Sequence, residues 1–396
     1  PLILASLDPE AWLANEILYF NWVPEVTGKS FTFNYILMGC IAKYSPKIWI
    51  IDKGRSYESL CDVVEGSYID LVTDTYITET GKKITPTCLN PLFTPISSKT
   101  GHRIVPKDED LTNSTRLLIK MINTDLSGKQ ADSGLPLVTS DLIYEAMQEM
   151  YDHYAVEAPK KELILSDLIP FILKKEFEQV KGKTVVEALK SFYGRGAFAK
   201  LFDGPLDVDW DNNFIVLETS RMQNSAALPV VMMSLFKQIE TYARYKVAKV
   251  RKKIVAVDEA WSVLSAPEPA AALATFFRDL RKENGACILI SQTINDFLKV
   301  LDAESKGGDG GQDGILENTS HYFLLPASST DYDATRKKLD FKNQEISMWS
   351  SLAPAPPFYG EVFYRMRQVN GKYVSGILRL CAPSICLWIA SSTPED

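Results

Sequence analysis

The sequence predicts an α/β fold: a mostly parallel sheet with an all-helical domain inserted into it. Three observations carry this. Lys47–Asp52, Lys253–Glu259 and Cys287–Thr293 are short, unbroken apolar runs that end in acids or polar groups. That is the pattern of parallel strands buried on both faces, with their carboxyl ends at a ligand crevice. Gly28-Lys29-Ser30 opens a helical pattern, Phe31–Tyr44. Between about 108 and 202, apolar residues recur at the 3.6-residue period without strand signals.

A length of 396 residues suits two or three domains. Apolar content of 46% and charged content of 23% are ordinary for a globular protein. The net charge of −7 argues against attraction of the whole protein to nucleic acid and leaves room for a local basic patch. Cys40, Cys61, Cys88, Cys287, Cys381 and Cys386 have no C-x-x-C spacing and read as buried thiols. No apolar run reaches the ~18 residues of a membrane span, and no signal peptide is visible. The chain starts at Pro1 rather than Met, so a fragment of something longer is expected.

Residues 1–22 are mixed, with an apolar run at Ile17-Leu18-Tyr19-Phe20 but no clear strand. Val23–Ser30 matches the phosphate-binding loop G-x-x-x-x-G-K-[ST] at Gly28, Lys29 and Ser30; Val23 stands at the first glycine position, Val26 at another that is often glycine, and Glu25 near phosphates would repel them. A degenerate loop and residues missing before it both explain this. The chemistry that survives is a helix amino end whose N–H groups hold phosphate, a lysine that reaches the β- and γ-phosphates and a serine that ligates Mg²⁺. Thr27, Gly28, Lys29, Ser30 and Phe31 are the nucleotide-binding candidates, and Ser30 is one metal candidate.

Lys47–Asp52 is the next strand. Asp52 is either a neighbour of the nucleotide or a turn former before Gly54, which leads into a short helix with Leu60, Val63 and Val64. Tyr68–Asp74 and Tyr76–Thr80 read as edge strands. The helical segment follows, with patterns at Leu117–Met121, Leu142–Tyr154, Leu163–Phe177 and Val185–Tyr193; His153 reads as a surface residue on it. Strand character returns at Asn213–Glu218, then a long helix from about 226 to 247. Its tail is basic (Arg244, Lys246, Lys249, Arg251, Lys252, Lys253), either a solvated helix end or a contact for DNA or a partner.

Asp258-Glu259 ends the central strand. The pair either caps the helix that follows or holds Mg²⁺ and polarises water; the Gly-Lys-Ser element favours the second. A helix over Pro269–Asn284 carries Arg278, Arg281 and Lys282. Gln292, at the end of the next strand, is placed to sense the γ-phosphate. Residues 307–314 form a glycine-rich linker. Tyr322–Leu325 is a further strand, Ile346–Leu352 a helix, and Gly360–Tyr364 with Val374–Leu380 a closing hairpin. The predicted domains are 1–107, the opening section of the core; 108–205, the insertion; and 206–396, the rest of the core.

This order resembles the RecA-like P-loop ATPases of the FtsK/HerA superfamily. Within it, several strings resemble the C-terminal domain of the TraC-type conjugation ATPases of type IV secretion, the group that includes DotO/IcmB. They are Ile51-Asp52-Lys53-Gly54-Arg55-Ser56-Tyr57, Val257-Asp258-Glu259-Ala260-Trp261, Ile290-Ser291-Gln292, Ile315-Leu316-Glu317-Asn318, Gln344-Glu345 through Leu352, and Trp388 to Asp396. The resemblance implies ATP and Mg²⁺ as cofactors, with Lys29 on phosphate, Ser30 and Asp258 on the metal, Glu259 activating water and Gln292 as sensor. It implies an arginine from a neighbouring subunit, with Arg281 first and Arg278 second. It also implies a homo-oligomeric ring, a hexamer, in the cytoplasm at the inner-membrane complex of a secretion system, beside other subunits including a second cytoplasmic ATPase, and an N-terminal domain before this segment. Two other functions fit the same strings: a DNA-translocating motor or coupling protein, and a docking platform whose loop has decayed. Val23, Glu25 and Val26 favour the platform; Lys29, Ser30, Asp258, Glu259 and Gln292 oppose it, since decay removes the lysine or the glutamate as readily as the glycines.

Overall fold

The structure is a computed structural model and describes residues 17–21, 29–78, 81–124, 135–259, 267–291, 319–355, 358–368 and 370–390. In chain order its elements begin with strand β1 (Ile17–Asn21), helix α1 (Lys29–Tyr44), β2 (Lys47–Asp52), α2 (Glu58–Val63), β3 (Ser67–Asp70), β4 (Tyr76–Ile77) and β5 (Lys83–Ile84). Helices α3 (Asp108–Ile122), α4 (Thr139–Glu157), α5 (Leu165–Leu173), α6 (Gly182–Leu189) and α7 (Ala199–Phe202) follow. Then come β6 (Phe214–Glu218), α8 (Leu228–Tyr245), β7 (Lys253–Val257), α9 (Pro267–Lys282), β8 (Gly285–Ser291) and β9 (Thr319–Leu324). The last are α10 (Ser329–Lys338), α11 (Asn343–Ser350), β10 (Gly360–Arg367), β11 (Tyr373–Leu380) and α12 (Ser384–Ala390).

The chain divides into two compact units, Pro1–Ile69 with Asp211–Glu218 and Lys249–Asp396, and Asp70–Trp210 with Thr219–Ala248. These divisions differ from the sequence boundaries at 107 and 205: the second unit also takes in the β4–β5 pair and the long helix α8. The physical reason is the apolar face of α8. Val231, Leu235 and Ile239 are fully buried, and α8 packs on α3 of the same unit.

The first unit is built on a nine-stranded sheet in the order β11-β10-β9-β1-β8-β7-β2-β6-β3. The pairings from β9 through β1, β8, β7 and β2 to β6 are all parallel. The hairpin β10–β11 adds antiparallel strands to β9. Strands β2, β6, β7 and β8 are buried at every position, which explains their continuous apolar runs. Phe33, Ile36 and Leu37 of α1 join Ile48, Ile50, Val216, Ile254 and Ala256 in the core beneath one face.

Four readings of the sequence need correction. A strand does precede Gly28-Lys29-Ser30: β1 pairs with β8 and β9. Five residues without alternation, Ile-Leu-Tyr-Phe-Asn, give no periodic signal of their own. Tyr76–Ile77 pairs with β5 in a separate two-stranded sheet. Cys381 is exposed and Cys386 half-buried, whereas the other four cysteines are buried; all six are free thiols. The basic stretch from the last turn of α8 onward is solvated only in part: Lys246 and Lys249 are exposed. Arg244 pairs with Asp110 and Glu240, Arg251 donates to the carbonyl of Ser45 and to Asn213, and Lys253 is wholly buried, with its ammonium on the carbonyl of Glu283. No helix among the described residues is long and apolar enough to cross a membrane.

The second unit buries Leu117, Leu118, Met121, Leu142, Ile143 and Met147 between α3 and α4, as the helical period predicts. His153 is exposed on α4.

Candidate active site

Strand register puts the predicted chemistry on one rim of the sheet. Asn21 is level with Ser291, Val257 with Leu289 and with Ile51, and Asp52 with Glu218. All of these lie at the carboxyl ends of parallel strands, where ligands of such sheets bind. Strand β8 lies between β1, which precedes Lys29 in the chain, and β7, which is followed by the acidic pair. Ser291 therefore stands between the two halves of the site. Thr27, Gly28 and Gln292 lie outside the described residues, as do residues 307–318 and the terminal string 391–396.

Lys29 is the first residue of α1, so its side chain starts at a helix amino end that attracts anions. Its ammonium lies 2.6 Å from Asp258 Oδ1 and 3.3 Å from Glu259 Oε1. Burial works against the charge of Lys29, but the two carboxylates outweigh it and hold its pKa above the usual lysine value. Asp258 is fully engaged. Oδ1 also accepts the N–H of Glu259 at 2.8 Å, and Oδ2 accepts the hydroxyl of Tyr57 at 2.7 Å. Glu259 has φ +52°, a left-handed backbone rare for a residue with a side chain. Such conformations cost of order 1–3 kcal/mol and gather where geometry matters more than stability.

Ser30 and Phe31 follow on the first turn of α1, both half-buried, with Phe31 stacked on Tyr35 at 6.2 Å. The donor set fits Mg²⁺. That ion takes one or two carboxylates and completes its shell with water and substrate phosphates; Asp258 and the Ser30 hydroxyl are donors of the right type for it. An ammonium already seated between Asp258 and Glu259 marks where positive charge is wanted. Among the described residues no group of three or more His, Cys, Asp or Glu is placed to hold a metal ion.

Arg278 and Arg281 are not brought to this rim. Lys253 is level with Gly285 at the amino ends of β7 and β8, and α9 ends at Lys282 just before it. A seven-residue strand spans on the order of 20 Å, so Arg281 is that far from the acids of its own chain. It is half-buried and Arg278 exposed.

Sequence reasoning assigned no role to Tyr57, Glu218, Asn34 and Tyr68. Glu218 accepts the backbone N–H of Arg55 at 2.9 Å and the Tyr68 hydroxyl at 3.0 Å. Asn34 of α1 donates to the carbonyl of Ser56 at 3.0 Å. The available signal was the string Ile51–Tyr57, whose Gly54 and Arg55 both adopt positive φ. Asp52, at its head, is fully buried. Burial, with Asp258 and Glu218 nearby, pushes its carboxyl up to about 8, against the opposing backbone hydrogen bonds of Lys53 and Ser56.

The TraG P-loop domain matches residues 12–303. The chain belongs to that family. A probable conjugal transfer protein TrbE from Sinorhizobium fredii (strain NBRC 101917 / NGR234) is 25% identical over 185 residues, 46% of this chain and 26% of the relative. The TraG-family chain thus aligns with about a quarter of that protein's length. Among solved structures, VirB4 of Thermoanaerobacter pseudethanolicus superposes with a TM-score of 0.63 at 21% identity, covering 93% of this chain and 90% of the other. The plasmid coupling protein TrwB in complex with ADP and Mg²⁺ reaches 0.50 at 11% identity, covering 94% and 79%. These two likenesses establish the P-loop NTPase fold.

Proposed function

We propose that this chain is an ATP-hydrolysing subunit of a conjugation-type type IV secretion system, acting in a ring of like subunits. The observation that carries the proposal is Lys29 held between Asp258 and Glu259 at the carboxyl rim of the sheet, in a chain of a P-loop family.

On nucleotide binding, Lys29 exchanges its carboxylates for the β- and γ-phosphates. Backbone N–H groups from Thr27 to Phe31, with the dipole of α1, add to the phosphate cradle. Ser30 and Asp258 would hold Mg²⁺, which would supply charge neutralisation to the phosphates. Departure of Lys29 leaves Glu259 with an oxygen for the attacking water, from which it takes the proton. Gln292 orients the same water.

The partners that follow from this reading are further copies of the chain in a hexamer, the inner-membrane complex at its cytoplasmic side and a second cytoplasmic ATPase. A DNA-translocating motor draws less support: the net charge is −7, and Arg244, Arg251 and Lys253 are engaged within the fold.

The test is calorimetry of Mg·ATP against the wild type, Lys29→Ala and Glu259→Gln. Binding is expected in the wild type, absent from Lys29→Ala and retained by Glu259→Gln, whose turnover stops. Equal binding by Lys29→Ala would defeat the proposal.

A further inference from the structure

We propose that Tyr57 is a positioning residue for Asp258, delivered to it by a loop that Glu218 and Asn34 hold in place. The proposal rests on the function proposed above. Its observations are geometric. The two oxygens of Asp258 are divided: Oδ1 takes Lys29 and the N–H of Glu259, and Oδ2 takes Tyr57. Tyr57 is fully buried and set edge-on against Phe33 of α1 at 5.8 Å, which fixes the ring that carries the hydroxyl.

The loop that carries Tyr57 is itself fixed from two sides. Glu218, at the end of β6, accepts the N–H of Arg55, and Asn34, on α1, binds the carbonyl of Ser56. Gly54 at φ +119° and Arg55 at φ +60° make the turn that this requires. The Tyr57 hydroxyl thus registers the helix that begins at Lys29 against the strand that ends at Asp258.

The consequence appears when Lys29 leaves for phosphate. Asp258 would then keep the Glu259 N–H on Oδ1 and the Tyr57 hydroxyl on Oδ2, and, freed of the ammonium, it would be available to a hydrated metal. Without the Tyr57 hydroxyl, Oδ2 loses that hydrogen bond and the Glu259 N–H on Oδ1 is left to orient the carboxylate. Groups that orient a ligand in this way are worth about 10- to 100-fold in metal affinity.

Tyr57→Phe removes only the hydroxyl and keeps the ring. Calorimetry would measure ATP binding to the wild type, Tyr57→Phe and Lys29→Ala, first without metal and then across a Mg²⁺ titration. The expected result is a metal-free affinity for Tyr57→Phe within about twofold of wild type, and a Mg²⁺ requirement raised about tenfold. An unchanged Mg²⁺ curve would overturn the proposal, as would an equal loss with and without metal, the mark of a general structural role. Wild-type binding by Lys29→Ala would instead overturn the parent reading. If Tyr57→Phe does not fold, Glu218→Gln loosens the same loop: a raised Mg²⁺ requirement supports the proposal and an unchanged one overturns it.

Discussion

Asp52 illustrates how a single side chain can record the electrostatics of the rim. It is buried beside Asp258 and Glu218, and its carboxyl is pushed up from 3.8 to about 8. The folded state therefore keeps a proton that the unfolded chain releases above about pH 4. Stability contributed by this group falls as pH rises from about 4 to about 8 and is level beyond that. For this one group the slope is at most about 1.4 kcal/mol per pH unit. Asp52→Asn removes it. In metal-free buffer, the stability of Asp52→Asn relative to wild type is expected to improve steadily between pH 5 and pH 8, by one to a few kcal/mol in total, as read from denaturant unfolding at each pH. A difference that stays constant over that range would mean that Asp52 is ionised in the folded protein at neutral pH. The sequence left Asp52 as either a turn former or a neighbour of the nucleotide. Its carboxyl is met by the backbone of Lys53 and Ser56, as in a turn former, and is also fully buried; burial by other strands is a tertiary fact that no local pattern carries.

At the scale of elements, the extension β9–β10–β11 is organised by Arg365. This arginine of β10 is 2% exposed and pairs with Glu345 of α11 at 3.0 Å. It donates to the carbonyls of Leu339 and Asp340, just past the end of α10, and lies 3.6 Å from the ring of Tyr373 on β11. One side chain thus joins two helices and two strands. Removing one partner of a buried pair costs about 3–5 kcal/mol, because the other charge stays behind uncompensated. Arg365→Ala should lose that much in denaturant unfolding, and Arg365→Lys should recover only part of it, since an ammonium cannot form the planar fork or the stack. A loss below about 1 kcal/mol would show that water replaces the arginine. None of this was legible in the sequence, where Arg365 reads as one charged residue in a hairpin strand. The strands themselves were legible wherever four or more apolar residues ran into an acid, as in β2 and β7. β1 was not, because its five residues draw their strand character from two parallel neighbours. The site shows the same division. Lys29, Asp258 and Glu259 follow from motif chemistry, whereas Tyr57 and Glu218 depend on which strand ends lie side by side.

At the scale of the whole molecule, the arginines set the question of assembly. Lys29, Asp258 and Glu259 converge on one rim, yet Arg281 and Arg278 belong to the opposite end of the strands. The length of a seven-residue strand, on the order of 20 Å, separates Arg281 from the acids of its own chain. If either arginine serves hydrolysis, it serves a neighbour's site, where a supplied arginine is worth about 10³- to 10⁵-fold in turnover. Two consequences can be measured in the full-length protein. Turnover per chain should rise with protein concentration as the ring forms, and Arg281→Ala should abolish that rise without weakening Mg·ATP binding. The sharper experiment mixes two silent variants. Lys29→Ala lacks a working site but keeps Arg281, while Arg281→Ala keeps its site but lacks the arginine to offer. In mixed rings, an Arg281→Ala subunit receives Arg281 from a Lys29→Ala neighbour, so turnover should reappear when the two are combined and peak near equal proportions. A mixture that stays silent, although each variant still assembles, would remove Arg281 from the mechanism. The same mixing with Arg278→Ala then decides whether the exposed arginine one turn earlier on α9 is the group supplied across the interface.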